Sequence, residues 1–181
     1  MVKLSYMKRV GGVRTSGFTI VELLIVVVVI AVLAAITIVA FNGVQARARD
    51  SQRRSDVRAI TKALELYKIS NGAYPAATPS CWESSNAASF MEYLVAGAGS
   101  AGIDSVPVDP VNNSSYYYSY CRYSAGVYNC DAARGDYVVV TIKRLETNPT
   151  GAGESSWICP LRNWNVDNGN EFSWSWGAYE R

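Results

Sequence analysis

The chain has 181 residues, with 17 basic and 15 acidic side chains and no histidine. A formal net charge of +2 gives no case for a protein that binds nucleic acid through its overall charge. The lack of histidine excludes histidine-based triads, histidine general bases and histidine metal ligands. The sequence also contains no nucleophile elbow, no phosphate-binding glycine motif and no paired carboxylate site, and we therefore expect a protein that is not an enzyme, with no catalytic residue, no cofactor and no metal site.

An uncharged apolar stretch lies near the N-terminus. Residues 23–41 contain no charged side chain, and Thr37 is the only polar residue among them. A helix needs about 20 such residues to cross the hydrocarbon core of a bilayer. Glu22 directly precedes the stretch, where a carboxylate is costly unless it finds a partner. We predict a membrane-spanning helix in which Glu22 is either a functional residue or a bystander at the level of the lipid headgroups.

The residues around Glu22 carry a recognisable motif, Gly17-Phe18-Thr19-Ile20-Val21-Glu22-Leu23-Leu24. This motif resembles the processing and assembly motif of type IV pilins and of the related pseudopilins. The resemblance implies that a dedicated membrane peptidase cleaves after Gly17 and methylates the new N-terminal Phe18. It also implies that Phe18 and Glu22 act in subunit assembly, the amine of one subunit pairing with the glutamate of a neighbour. Two later segments extend the resemblance over residues 8–145, Asn71-Gly72-Ala73-Tyr74-Pro75 and Val106-Pro107-Val108-Asp109-Pro110.

The resemblance implies the pilin fold, an α+β architecture with a long N-terminal helix packed on a small antiparallel sheet. It divides the chain into a leader peptide (1–17), a transmembrane or filament-core helix (18–41), an amphipathic helix (42–71) and a globular head (72–181). The implied protein is first a single-pass precursor in the bacterial inner membrane. It then polymerises with copies of itself into an extracellular pilus that serves adhesion and twitching motility. Prepilin peptidase and the pilus assembly machinery are the other implied partners.

Two other functions remain open at this point. The chain is alternatively a pseudopilin of a type II secretion system, or a minor pilin that binds DNA for uptake. The leader contributes four basic residues and no acid, so that its removal leaves 13 basic and 15 acidic side chains. Because the mature protein is then slightly acidic, we expect no specific nucleic-acid partner.

The second half of the long helix has an apolar stripe and a basic character. Val57, Ile60, Leu64 and Tyr67 follow helical spacing and predict a face that packs on the sheet. The basic residues form either a band for DNA, anionic lipid or a neighbouring subunit, or a solvated face with local partners such as Asp50–Arg54. They are Arg47, Arg49, Arg53, Arg54, Arg58, Lys62 and Lys68.

The head shows strand patterns rich in aromatic and β-branched residues. Residues 116–123 and 136–145 predict an antiparallel pair, residues 172–176 alternate like a further strand, and residues 87–96 predict a short helix. Four of the five tryptophans lie in the last 36 residues, and they form either an aromatic surface for carbohydrate binding or adhesion, or part of the core. The segment Asp167–Glu171 is either a Ca²⁺ site or, as we favour, a plain turn.

All four cysteines follow the apolar stretch, and no two of them have the spacing of a zinc or redox site. An even number outside the membrane predicts two disulfides formed in an oxidising compartment. The cysteines are Cys81, Cys121, Cys130 and Cys159. Four cysteines allow three pairings, among which the sequence does not choose. Our hypothesis is the pairing Cys121–Cys130 together with Cys81–Cys159.

Overall fold

The computed structural model describes residues 17–76, 82–88, 90–95, 103–166 and 171–181. The chain divides into two compact units, residues 1–42 and 43–181. One helix, α1 (Ile20–Asn71), contributes residues to both units. It ends where the sequence predicts, because Gly72 adopts a left-handed φ of 82° and donates its N–H to the carbonyl of Lys68 at 2.8 Å.

The second unit, which we call the head, contains six strands in its described residues: β1 (Glu83–Ser84), β2 (Tyr118–Tyr123), β3 (Tyr137–Ile142), β4 (Ile158–Cys159), β5 (Arg162–Asn163) and β6 (Trp174–Tyr179). Four of them form an antiparallel sheet in the order β1-β2-β3-β6. Both strands that we predicted in the middle of the head are confirmed as β2 and β3, with Tyr120 opposite Val140. The third predicted strand, β6, begins two residues later than expected and runs on to Tyr179.

The main core lies between the head part of α1 and one face of this sheet. Val57, Ile60 and Leu64 of the predicted apolar stripe are fully buried, and Tyr67 packs at the margin of the same cluster. The sheet contributes alternate residues, because side chains on a strand point to opposite faces in turn. These are Tyr118, Tyr120, Val138, Val140 and Ile142, with Trp174 and Trp176 partly buried beside them. The α+β architecture expected from the sequence is thus present.

The opposite face of the sheet is covered by the C-terminal segment. Trp164 is 0% exposed and packs in a second cluster with Tyr137, Val139 and Phe172. Trp157 lies over β6 at Gly177, where an added Cβ would stand only 2.4 Å from the indole ring. The tryptophans of this segment therefore contribute to packing, which supports the core interpretation over that of a tryptophan-rich binding surface.

The structure corrects one further expectation and leaves another untested. In place of the helix predicted over residues 87–96, the described residues contain a single 3₁₀ turn, Glu92–Leu94. Its buried neighbours Phe90 and Met91 join Leu94 in the main core, and Met91 has a left-handed φ of 49°, which prevents an α-helix from continuing there. Residues 167–170 of the candidate Ca²⁺ segment lie outside the described residues, and Glu171 pairs with Arg162.

The predicted disulfide pairing is wrong. Cys130 is bonded to Cys159, with 4.9 Å between their Cα atoms. The loop that carries Cys130 contacts the β4–β5 hairpin, where the Leu161 N–H donates to the Tyr128 carbonyl at 3.1 Å, and this contact places Cys130 beside Cys159. Cys121 is also disulfide-bonded. Cys81 is the one cysteine outside the described residues.

We expect non-reducing peptide mapping to recover two linked pairs, Cys130–Cys159 and Cys81–Cys121. Each bridge should stabilise the head by about 2–4 kcal/mol, because a cross-link restricts the unfolded chain. Cys130→Ser should release one titratable thiol, at Cys159, and leave the other pair linked. Recovery of a peptide that joins Cys121 to Cys130 would contradict the pairing.

Candidate assembly site

The helix begins at a reciprocal pair of hydrogen bonds between Thr19 and Glu22. The backbone N–H and the hydroxyl of Thr19 each donate to Glu22 Oε2 at 2.8 Å, and the Glu22 N–H donates to Thr19 Oγ1 at 3.2 Å. This arrangement is a capping box, which satisfies N–H groups that a helix start leaves without partners. Glu22 therefore already has a partner within its own chain. Sequence reasoning missed the role of Thr19, although the Thr-x-x-Glu spacing is the known signal for such a box.

The peptide bond between Gly17 and Phe18 directly precedes this cap, and both residues are exposed. The Phe18 side chain is 87% exposed, and a Cβ built on Gly17 would meet no atom within 4 Å. No described residue therefore shields the bond from an approaching enzyme. Cleavage there, methylation of Phe18 and pairing through Glu22 stay predictions.

The apolar part of α1 is exposed on every side. Each described large apolar side chain between Phe18 and Phe41 is at least 50% exposed. The helix is long and apolar enough to cross a membrane. Thr37 is the one polar residue over residues 23–41, and its hydroxyl donates to the Leu33 carbonyl at 2.8 Å, so that it needs no partner outside the helix. Such a surface requires cover from lipid tails or from other apolar helices.

A buried ionic network in the head has Arg53 at its centre. Arg53 is 0% exposed and pairs with Asp109 through two nitrogens, at 2.7 and 3.1 Å. Its Nη1 also donates to Asp50 at 2.8 Å and to Glu146 at 2.7 Å. Three carboxylates thus converge on one guanidinium. They connect α1 to the loop containing Asp109 and to the loop that follows β3.

Other donors complete this Arg53 network. Arg49 forms a two-pronged contact with Glu146, and Asp50 accepts from the N–H groups of Glu146 and Thr147 and from the Thr147 hydroxyl. Burial alone would raise the pKa of Asp50, but these hydrogen bonds outweigh it and hold the pKa below its usual value. The hydrogen bond from Arg49 lowers the pKa of Glu146 in the same way. Both carboxylates are therefore ionised at neutral pH.

The basic residues of α1 do not form one continuous band. Arg49 and Arg53 bind carboxylates of the head, Arg54 pairs with Glu154, and Lys68 donates to the Tyr179 carbonyl at 2.9 Å. The predicted Asp50–Arg54 pair is wrong, since Asp50 pairs with Arg53 one turn away. Within the described ranges, three basic residues of the set are exposed without an ion pair: Arg47, Arg58 and Lys62.

Comparison with known proteins identifies relatives of this chain. Residues 13–38 match the family described as "Prokaryotic N-terminal methylation motif". The chain is 38% identical over 62 residues to the type II secretion system core protein G of Pseudomonas aeruginosa. It is 34% identical over 101 residues to the protein of the same name from Escherichia coli K12.

The extent of these matches differs. The match with the P. aeruginosa protein covers 34% of this chain and 44% of the relative. The match with the E. coli protein covers 55% of this chain and 69% of the relative. The chain thus spans less than half the length of one relative and about two thirds of the other. No solved structure matches the chain.

Proposed function

Since this chain belongs to the type IV pilin-like family, we propose that it is a pseudopilin, a subunit of a type II secretion system. The observation that carries the proposal is the match to the E. coli type II secretion core protein G, which extends over 101 residues and includes more than the methylation motif. On this proposal the protein has a structural role and catalyses no reaction. It assembles with copies of itself into a short filament.

The apolar half of α1 supports both states that this function requires. Before assembly, lipid tails would cover the exposed side chains from Phe18 to Phe41, and the protein would be anchored in the inner membrane. In a filament, the same segments of neighbouring subunits would cover one another. When the subunit moves from the bilayer into the filament, the polarity around these side chains would change little, because lipid tails and apolar side chains are similarly apolar. Leader cleavage would prepare the chain for this step by removing the basic residues in front of Phe18.

Phe18 and Glu22 are proposed to set the position of each subunit. Cleavage would create an ammonium group on Phe18, next to Thr19 and four residues before Glu22. In an apolar filament core, both charges are costly when alone and attract strongly when close. Pairing of the Phe18 amine with Glu22 of a neighbour would fix the axial stagger between subunits. Any other stagger would leave the Glu22 carboxylate without an opposite charge in the apolar core.

A surface pilus subunit is the less well supported alternative. Both relatives described above are named for type II secretion, and their names mention neither adhesion nor motility. Deletion of the gene in its own host distinguishes the two functions. We expect the secreted enzymes to accumulate inside the cell while surface pili remain normal in number. Loss of pili with normal secretion would contradict the pseudopilin proposal.

We expect Gly17→Leu to block processing, because a bulky side chain would then stand beside the bond to be cut. Mass spectrometry of the wild-type protein should show a mature chain that begins at Phe18 and carries one added methyl group. Gly43→Leu is the matched control, since its Cβ also meets no atom within 4 Å and it lies away from the motif. Normal cleavage of Gly17→Leu, or a mature N-terminus beyond Phe41, would show that the site is misplaced.

A further inference from the structure

A cavity of about 240 Å³ opens on the face of the sheet that is turned away from α1. It lies beside the short edge strand β1. Its volume is slightly below the range of about 300–1,000 Å³ that is usual for small-molecule sites, and thus suits a ligand of a single ring. The lining residues are three aromatic side chains, two serines and one carboxylate: Trp82, Tyr117, Phe172, Ser84, Ser119 and Glu171.

The aromatic residues form a fixed apolar wall. The rings of Trp82 and Phe172 pack against each other with centroids 5.3 Å apart at an angle of 35°. Trp82 also meets the edge of Tyr123, with centroids 6.1 Å apart. Phe172 is only 3% exposed and belongs to the second core cluster, so that it supports Trp82 from behind. The half-buried ring of Trp82 is the part that a ligand can reach, and an aromatic ring can stack on the C–H face of a sugar ring.

The remaining lining residues offer hydrogen bonds of both kinds. In the described part of the chain, the Ser84 hydroxyl has no hydrogen-bond partner. The Ser119 hydroxyl, in contrast, shares a hydrogen bond with the Thr141 hydroxyl, with 2.5 Å between the two oxygens. Glu171 uses Oε2 to accept from Arg162, which leaves Oε1 as an acceptor for a ligand. Burial, and then the charge of Glu171, raise the pKa of Tyr117, so that its phenol stays protonated at neutral pH. The cavity thus presents hydroxyl donors beside a carboxylate acceptor.

The charges around the cavity disfavour ionic ligands. The ammonium of Lys143 lies 5.1 Å from the ring centre of Phe172 and 6.0 Å from that of Tyr117. It already occupies part of the aromatic surface that a cationic ligand would use, and it would repel such a ligand. The carboxylate of Glu171 is already paired with Arg162, so that it leaves little uncompensated charge for an ionic ligand. A neutral ligand with several hydroxyl groups needs no such charge.

We propose that this cavity binds a neutral pyranose ring, as a single sugar or as one unit of a glycan. Its apolar face would stack on Trp82, which Phe172 supports from behind, and its hydroxyls would form hydrogen bonds with Ser84, Tyr117 and Glu171. This binding is separate from polymerisation, because none of these residues belongs to the apolar half of α1 or to the Phe18–Glu22 motif.

The test is saturation-transfer NMR on the full-length mature chain in micelles of a detergent without a sugar headgroup, because a maltoside detergent would compete. The probes are the methyl pyranosides of glucose, galactose, mannose and N-acetylglucosamine, with tetramethylammonium as the cationic comparison. We expect at least one pyranoside to bind with a dissociation constant of about 1 mM, as is reasonable for a ligand of some 13 heavy atoms. We expect no binding of tetramethylammonium.

Three variants locate the site. Ser84→Val removes a hydroxyl that has no partner in the described part of the chain and should leave the fold intact. Tyr117→Ala removes one aromatic side of the cavity. Each should weaken pyranoside binding about tenfold or more, whereas Ile69→Ala, at an exposed position on α1, should leave it unchanged.

Three results would overturn the proposal. They are no saturation of any pyranoside, equal binding by wild type and by Ser84→Val and Tyr117→Ala, and binding of tetramethylammonium in preference to the sugars. Tryptophan fluorescence of each variant confirms that the head is folded. A variant that fails this check is replaced by Glu171→Gln, which should weaken pyranoside binding by removing a charged acceptor.

Discussion

Replacement of Arg53 by methionine should lower the free energy of unfolding of the head by about 3–5 kcal/mol. The change removes one buried charge and leaves Asp50, Asp109 and Glu146 facing each other without it. Asp109 is 0% exposed at its side chain and would lose its ion pair, although the N–H groups of Val111 and Asn112 would still donate to it. A loss of this size is a large part of the 5–15 kcal/mol that stabilises an ordinary domain.

Urea unfolding followed by tryptophan fluorescence measures this effect in the full-length chain. All five tryptophans lie after the apolar stretch, so that the signal reports on the head alone. Arg58→Met is the matched control, because Arg58 lies on the same helix but is exposed and has no ion pair among the described residues. We expect the control to change stability by no more than about 0.5 kcal/mol. Equal midpoints for the two variants would show that the Arg53 network contributes no stability.

The same network predicts that the head loses stability in acid. The pKa values of Asp50 and Glu146 are lowered in the folded state by their hydrogen bonds. A lowered pKa stabilises the folded state above the unfolded-state pKa, which is about 4 for these residues. That contribution is lost as the pH falls through the folded-state pKa values. Stability should therefore be constant near neutral pH and decline below about pH 4, and the decline should be smaller in Arg53→Met.

The Arg53 network also shows which contacts could not be predicted from the sequence. The apolar stripe of α1 and the strands β2 and β3 were predictable, because helical and strand periodicity are local properties of the sequence. Arg53, by contrast, binds carboxylates 56 and 93 residues away, and its buried partners are indistinguishable in the sequence from solvated charges. The Cys130–Cys159 bridge, across 29 residues, depends in the same way on how a loop meets a hairpin. Local sequence patterns do not show which of several distant residues will become the partner.

The candidate assembly site was more accessible to prediction, because its residues are neighbours in the chain. Gly17, Phe18 and Glu22 follow from one short motif beside an apolar stretch. What the motif alone did not reveal is that Glu22 has a partner before any neighbour arrives. Its Oε2 accepts two hydrogen bonds from Thr19 in the single chain. Thr19 therefore holds the carboxylate at the helix start, where a new Phe18 amine would appear.

Glu22→Ala should abolish filament assembly without preventing membrane insertion or cleavage. Neither insertion nor cleavage requires a charge pair, whereas a filament would have to bury the Phe18 amine alone. We expect the processed subunit to remain in the membrane fraction, with chemical cross-linking yielding monomers in place of a ladder of oligomers. Secretion should fall with assembly. Thr37→Val is the control, because the Thr37 hydroxyl bonds only within its own helix, and this variant should assemble normally.

Glu22→Gln separates the two roles of this side chain. Glutamine also serves as the third helical residue of a capping box, so that the bonds with Thr19 should persist while the negative charge is lost. If pairing with the Phe18 amine of a neighbour drives assembly, Glu22→Gln should be nearly as defective as Glu22→Ala. If the cap alone matters, Glu22→Gln should yield a normal ladder of cross-linked oligomers and normal secretion. That second result would reject intersubunit charge pairing and leave Glu22 as a local helix cap, because a neutral amide cannot compensate a buried ammonium.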